Sequence, residues 1–150
     1  MLTKSTEYAL RALVFIQLKN NIGIRPGVPE IAGEIEAPVA FTAKILQTLT
    51  KHKLVGSMKG RGGGFFFRES ESELSLYEVV VVMEGNSVFT RCGFGLKTCS
   101  DSAPCPLHDS YAPIREGYLR IARSETIQSL ALKIEQGTAR LNSVGKPIGK

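Results

Sequence analysis

Apolar residues near the start of the chain recur at helical intervals. In TEYALRALVFIQLK, Ala9, Leu13 and Ile16, flanked by Leu10, Val14 and Leu18, predict a first helix with a broad apolar face. NNIGIRPG interrupts that period, and VPEIAGEIEA resumes it as a short helix. Pro29 suits its first turn, Glu30 favours the positive end of its dipole, and Ile31 and Ile35 share one face. PVAFTAKILQTLTKHK predicts a third helix whose buried stripe is Phe41, Ile45, Leu46 and Leu49. Thr42, Ala43, Lys44, Gln47 and Lys51 are then expected to point outward.

Beyond residue 53 the period shortens. LVGSMK and FFFR, on either side of GRGGG, predict two short strands around a glycine turn. In ESESELSLYEVVVVMEG the four valines favour a strand, but Ser75 stands three residues before Glu78, the spacing of a capping box. Leu76, Val79, Val80 and Met83 follow at helical offsets, so a helix ending at Gly85 is expected. After a loop, another helix is predicted from Pro106 to about Arg123, with Pro113 kinking its start or marking a later first turn. Tyr111, Ile114 and Tyr118 form one of its faces, and Arg115, Leu119 and Ala122 form another. SETIQSLALKIEQ predicts a last helix begun by Ser124, with Ile127, Leu130, Ala131 and Ile134 inward. The expected fold class is mainly α with a small β hairpin.

Helix, short helix, a helix with a basic outer face, then a hairpin is the order of a winged helix-turn-helix. Charge sharpens that reading. Residues 1–68 carry a balance of +6 and residues 69–150 a balance of −1, and no carboxylate occurs between Glu36 and Glu69. Lys44, Lys51, Lys53, Lys59, Arg61 and Arg68 all fall in this acid-free window, which coincides with the third helix and the hairpin. Clustered cations displace counterions condensed on phosphate, so double-stranded DNA is the expected partner. The third helix would enter the major groove, and the hairpin would lie against backbone. GRGGG lacks the lysine and hydroxyl residue of a phosphate-cradling loop and leads into a strand, which argues against nucleotide binding. No nucleophile–base or acid pair at suggestive spacing appears, so an enzyme with a small-molecule substrate is not expected. Lys4, Glu7 and Arg11 interrupt the opening, and LVFI and VVVVM are too short to cross a bilayer. The expectation is a cytoplasmic protein with no membrane partner and with reduced thiols.

Those thiols are concentrated. RCGFGLKTCSDSAPCPLHDSY holds all three cysteines, and Cys92, Cys99, Cys105 and His108 are separated by six, five and two residues. Cysteines buried as small hydrophobes are not normally spread through a glycine- and proline-rich loop. Zinc suits three thiolates and an imidazole, although only Cys105 and His108 have knuckle spacing. An iron–sulfur cluster is larger and suits a looser loop. The residues alone leave both open.

The opening LTKSTEYALRAL, the wing VGSMKGRGGGFFF, and a cysteine triplet followed by a long helix together resemble the IscR/NsrR-type family of bacterial winged-helix transcription regulators, over nearly the whole chain. That resemblance implies a homodimer joined through the long helix, with a cluster on Cys92, Cys99 and Cys105 plus a fourth, non-cysteine ligand. His108 matches the histidine of members with a [2Fe–2S] centre, and Glu7 falls where sensors of nitric oxide or redox state place an acidic ligand from the partner subunit. His108 is preferred because it needs no reach between subunits, and [2Fe–2S] is preferred over [4Fe–4S]. The implied function is a repressor whose operator binding responds to redox, iron–sulfur status or nitric oxide. Expected DNA contacts are Ala40, Thr42, Ala43 and Lys44 on the helix, with Lys59 and Arg61 on the wing. The chain departs from the family pattern in a longer first cysteine gap, in Lys53 at a usual glycine, and in Arg61 at a common proline. The expected partition is a winged domain over 1–85, a cluster loop over 86–108, dimerisation helices over 109–137 and a disordered tail over 138–150. The competing function is a zinc-binding winged-helix adaptor for a protein partner.

Overall fold

The computed structural model describes residues 2–69 and 71–143. The first helix, α1 (Lys4–Asn21), runs through the centre. Ala9, Ala12, Leu13, Phe15 and Ile16 are fully buried, too many directions for one stripe. Neighbours on several sides explain this. α2 (Val28–Glu34) and α3 (Val39–Lys51) cover one side of α1, while α4 (Leu76–Glu84) and α6 (Ile127–Glu135) cover others. A helix apolar nearly all round must be enclosed.

The hairpin forms as expected, with β1 (Gly56–Met58) antiparallel to β2 (Gly64–Phe66) and Ser57 opposite Phe65. It is fastened to α1 by backbone and amide groups. Phe65 N–H donates to Pro26 C=O at 2.9 Å, and Phe67 N–H to Asn20 Oδ1 at 2.8 Å. Asn20 Nδ2 donates to the Ile24 and Phe65 carbonyls. The Arg25 guanidinium lies 4.5 Å from the centre of the Phe66 ring. Gly64, at φ +141°, lies so close to the Arg25 and Pro26 carbonyls that any Cβ would collide with them. The wing is therefore seated by contacts that only glycine permits at this point.

α4 is a helix despite its valines. The Ser75–Glu78 capping box closes in both directions, and Val79 and Val80 are buried. A short 3-10 turn (Ser87–Phe89) then leads into the cysteine loop and α5 (His108–Ser124). Rings of Tyr77, Phe89 and Tyr118 stack at 5.2 Å spacing, joining α4, the turn and α5. No helix among the described residues is long and apolar enough to cross a membrane.

Three expectations need correction. Phe41 is exposed and Thr42 is fully buried, so the α3 stripe is Thr42, Ile45, Leu46 and Leu49. Thr42 Oγ1 donates to the Pro38 carbonyl at 2.9 Å, which lets a hydroxyl occupy a core position. Pro113 lies inside α5, which begins at His108 and not at Pro106. α6 starts at the Thr126 cap and not at Ser124, because Thr126 and Ser129 form the capping box while Ser124 ends α5. α6 shares the main core with α1, where Ile127 and Ala131 are buried. Residues 138–143, expected to open a disordered tail, pack on the same unit. Leu141, partly buried, packs against the core cluster, its carbonyl accepts from Arg11 Nε at 3.3 Å, and Ser143 N–H donates to Glu36 Oε1 at 2.9 Å. Residues 144–150 lie outside the described residues.

The start of α6 generates a pH-dependent prediction. Lys133 Nζ and Ser129 Oγ both donate to the Glu125 carboxylate at 2.6 Å, and these bonds, Lys133 first, hold its pKa below the usual value. A depressed carboxylate stabilises the fold above its unfolded pKa, and that contribution is lost as pH falls through the folded pKa. Glu125→Gln should cost roughly 0.5 kcal/mol at neutral pH, the scale of a partly exposed pair, and progressively less as pH falls below the ordinary carboxylate range. Urea unfolding at neutral and acidic pH measures the difference.

Candidate nucleic-acid face and cysteine-loop centre

Neither the outer face of α3 nor the wing tip carries a carboxylate. Pro38 caps α3 without a side-chain hydrogen bond and no acid occupies the first turn, so the positive end of the helix is open. Ala40 and Lys44 are exposed there and Ala43 is half-buried. Val39 and Phe41 are exposed beside them, with Phe41 edge-on to Tyr8. Lys59 and Arg61 are exposed on the wing. Thr42, the remaining predicted contact, is withdrawn into the core and cannot meet a base edge. His52, at the end of α3, uses Nδ1 to donate to the Thr48 carbonyl at 2.9 Å, which leaves its other ring nitrogen outward. Lys53 takes φ +60°, the strained cap implied by a lysine at a usual glycine position.

The cysteine loop is anchored at Cys92, which is 5% exposed. Backbone N–H groups of Leu96 and Phe94, helped by the Cys105 side chain and Gly95, lower the pKa of the Cys92 thiol against the opposing effect of burial. Gly93 allows the loop to lie against Tyr111 of α5, where a Cβ would overlap the ring. Cys99 occupies a different microenvironment. His108 Nδ1 lies 3.5 Å from its sulfur, and Arg115 Nη1 donates to it at 3.0 Å. That bond, above all, raises the pKa of the Arg115 guanidinium. The same Nη1 reaches the carbonyls of Arg91 at 3.0 Å and Thr90 at 3.4 Å. His108 Nε2 lies 2.7 Å from Asp101 Oδ1. With the proton on Nε2, Nδ1 carries the free lone pair and faces Cys99, the arrangement that a carboxylate imposes on a ligating histidine.

The loop thus brings the predicted residues together as two pairs, Cys92 with Cys105 and Cys99 with His108. Among the described residues, no three His, Cys, Asp or Glu side chains converge as the ligands of a single metal ion would. The donor chemistry nonetheless fits a thiolate-rich inorganic group. All three cysteines are free thiols, and N–H donors are directed at two of the sulfurs, which stabilises sulfur carrying negative charge. Glu7 stands apart in the first turn of α1, exposed and paired with Lys4 at 3.7 Å. Within the chain and among the described residues, it makes no hydrogen bond to the cysteine loop.

Sequence reasoning missed Arg115 and Asp101 as parts of this centre. For Arg115 a signal was available, because it follows His108 by seven residues and so lies on the same face of α5. Asp101 carried none, since only the closure of the loop brings it to the imidazole.

Comparison with known proteins gives a consistent picture. The family described as "Rrf2: Iron-dependent Transcriptional regulator" matches residues 2–133. Protein aau3 of Rhizobium meliloti is 36% identical over 86% of this chain and 83% of its own. The HTH-type transcriptional regulator NsrR of Oceanobacillus iheyensis is 27% identical over 97% of this chain and 98% of its own. Among solved structures, CymR of B. subtilis, described as the global cysteine regulator, superposes with a TM-score of 0.69 at 19% identity, covering 88% of this chain and 96% of CymR. IscR of T. potens superposes with a TM-score of 0.67 at 15% identity, over 96% and 95% of the two chains. These two likenesses establish the winged-helix fold.

Gly93→Ala should force Tyr111 away from the loop and cost about 1–3 kcal/mol, the usual penalty of overpacking. Denaturant unfolding measures this cost, and a loss well below that range would mean the ring yields freely.

Proposed function

The chain belongs to the Rrf2 family of transcriptional regulators, and we propose that it is a homodimeric repressor whose grip on its operator depends on an iron–sulfur cluster. Cys92, Cys99 and Cys105 would hold the cluster, with His108 as fourth ligand through Nδ1 and Glu7 of the partner subunit as the alternative. The observation that carries this reading is the cysteine loop itself: three free thiols in one loop, with an imidazole nitrogen 3.5 Å from the second and the other ring nitrogen 2.7 Å from Asp101. A bound [2Fe–2S] centre would supply a redox-active group sensitive to oxidants or nitric oxide. The chain supplies the positions of the donors.

The exposed apolar residues of α5 and of its N-cap, Leu107, suggest how two copies meet. Leu107, Ile114 and Ile121 repeat at intervals of seven and are 45%, 59% and 56% exposed. Gly117 lies between the last two, where a bare backbone permits close approach. Pairing along this seam would set the distance between the two α3 helices, and an operator with fixed half-site spacing would select one such distance. On DNA, Ala40, Ala43 and Lys44 would face the major groove. Val39 and Phe41 offer apolar surface to thymine methyl groups. Lys59 and Arg61 would meet phosphate.

Anaerobic purification provides the first test. Visible absorption with iron and acid-labile sulfide is expected; one equivalent of zinc without a chromophore would overturn the cluster and favour a zinc-stabilised adaptor. Binding measured against salt tests the wing. The double variant Lys59→Ala, Arg61→Ala should weaken binding to all duplexes and reduce the salt slope by about 2 per chain, about one per lost phosphate contact. An unchanged slope would remove the wing from the interface.

A further inference from the structure

We propose that Arg115 is the positioning residue that transmits the state of the cysteine loop to α5. The proposal rests on the reading of the cysteines as cluster ligands. Arg115 is half-buried on α5, two turns beyond His108 and adjacent to Ile114 of the exposed seam. Its Nη1 lies 3.0 Å from Cys99 Sγ and 3.0 Å from the Arg91 carbonyl, the residue immediately before Cys92. Among the described residues, no other side chain hydrogen-bonds both the sulfur of one cysteine and the backbone leading into another. One guanidinium therefore ties the two halves of the loop to the helix that carries the seam.

Two consequences follow from elementary chemistry. A charged N–H donor on a ligating sulfur withdraws electron density and favours the reduced, more negative form of the bound group, so it raises the reduction potential. Both bonds leave the same Nη1, whose two N–H groups serve the sulfur and the carbonyl together, and the shorter, more strongly hydrated ammonium of a lysine would hold that pair of contacts less closely. A change in charge on the Cys99 sulfur alters the strength of its bond to Arg115, and Arg115 is part of α5.

The test uses the full chain, prepared anaerobically, with Arg115→Met and Arg115→Lys. The expected result is a chromophore retained in both, a potential shifted negative in Arg115→Met, and an intermediate value in Arg115→Lys. Should Arg115→Met fail to keep its cluster, the shift in Arg115→Lys decides. An unchanged potential with the cluster intact overturns the proposal, because a residue that only supported the fold would leave the potential in place. If the wild-type chain takes up no iron, the cluster reading fails by itself. Amide exchange on the metal-free chains then judges the bridge: faster exchange over residues 90–100 in Arg115→Met supports it, and unaltered exchange overturns it.

Discussion

The enclosure of α1 is the constraint on which everything else depends. A helix with Leu13, Phe15 and Ile16 all fully buried cannot belong to only one side of the molecule. On one flank it supports α2 and α3, and so fixes the helix proposed to face DNA. On the other it receives α4 and α6, the elements on either side of the cysteine loop and α5. Each buried side chain contributes on the order of 1.5–3 kcal/mol, and the same side chains serve both flanks. α4 and α6 therefore share the core of α1 with α3, and a second, smaller cluster of Val80, Phe89 and Ala122 joins α4 to the turn and the helix that flank the thiols.

A second junction reinforces the first. The start of α4 and the start of α6 are bound by reciprocal backbone bonds: Leu76 N–H donates to the Glu125 carbonyl at 3.0 Å and Ile127 N–H to the Leu74 carbonyl at 2.8 Å. Gln128 extends the tie, accepting from Leu74 N–H and donating to Gln17 on α1. The Tyr77, Phe89 and Tyr118 stack then connects this junction to the turn that enters the loop. Displacement of α5 has a short packed route to α1, and from α1 to α3.

Much of this was legible in the order of residues because the signals were local. The Ser75–Glu78 spacing outweighed four valines, since a satisfied cap lies within one turn and needs no tertiary partner. Glycines between apolar segments placed the hairpin for the same reason. The errors arose where burial depends on distant groups. Phe41 is more hydrophobic than Thr42, yet Thr42 occupies the core because its hydroxyl is satisfied by Pro38 and the helix phase fixes Ile45, Leu46 and Leu49 on its side. The return of α6 to α1 depends on a turn at Glu125 and Thr126, and its amphipathic pattern names no partner. In the cysteine loop, the thiols and His108 could be read from their spacing. The environments that distinguish Cys92 from Cys99 come from N–H groups that converge only after folding.

Residues 138–143 pass alongside α1 and end against the carboxylates of Glu34 and Glu36, where the helix-turn-helix bends. Glu36 itself holds φ +58°, an unfavourable backbone state for a residue with a side chain. The segment leaving α6 thus ties down the bend between α2 and α3 from outside. A fragment trimmed after Gly137 would lose these ties to Glu34 and Glu36, together with the packing of Leu141 on the core.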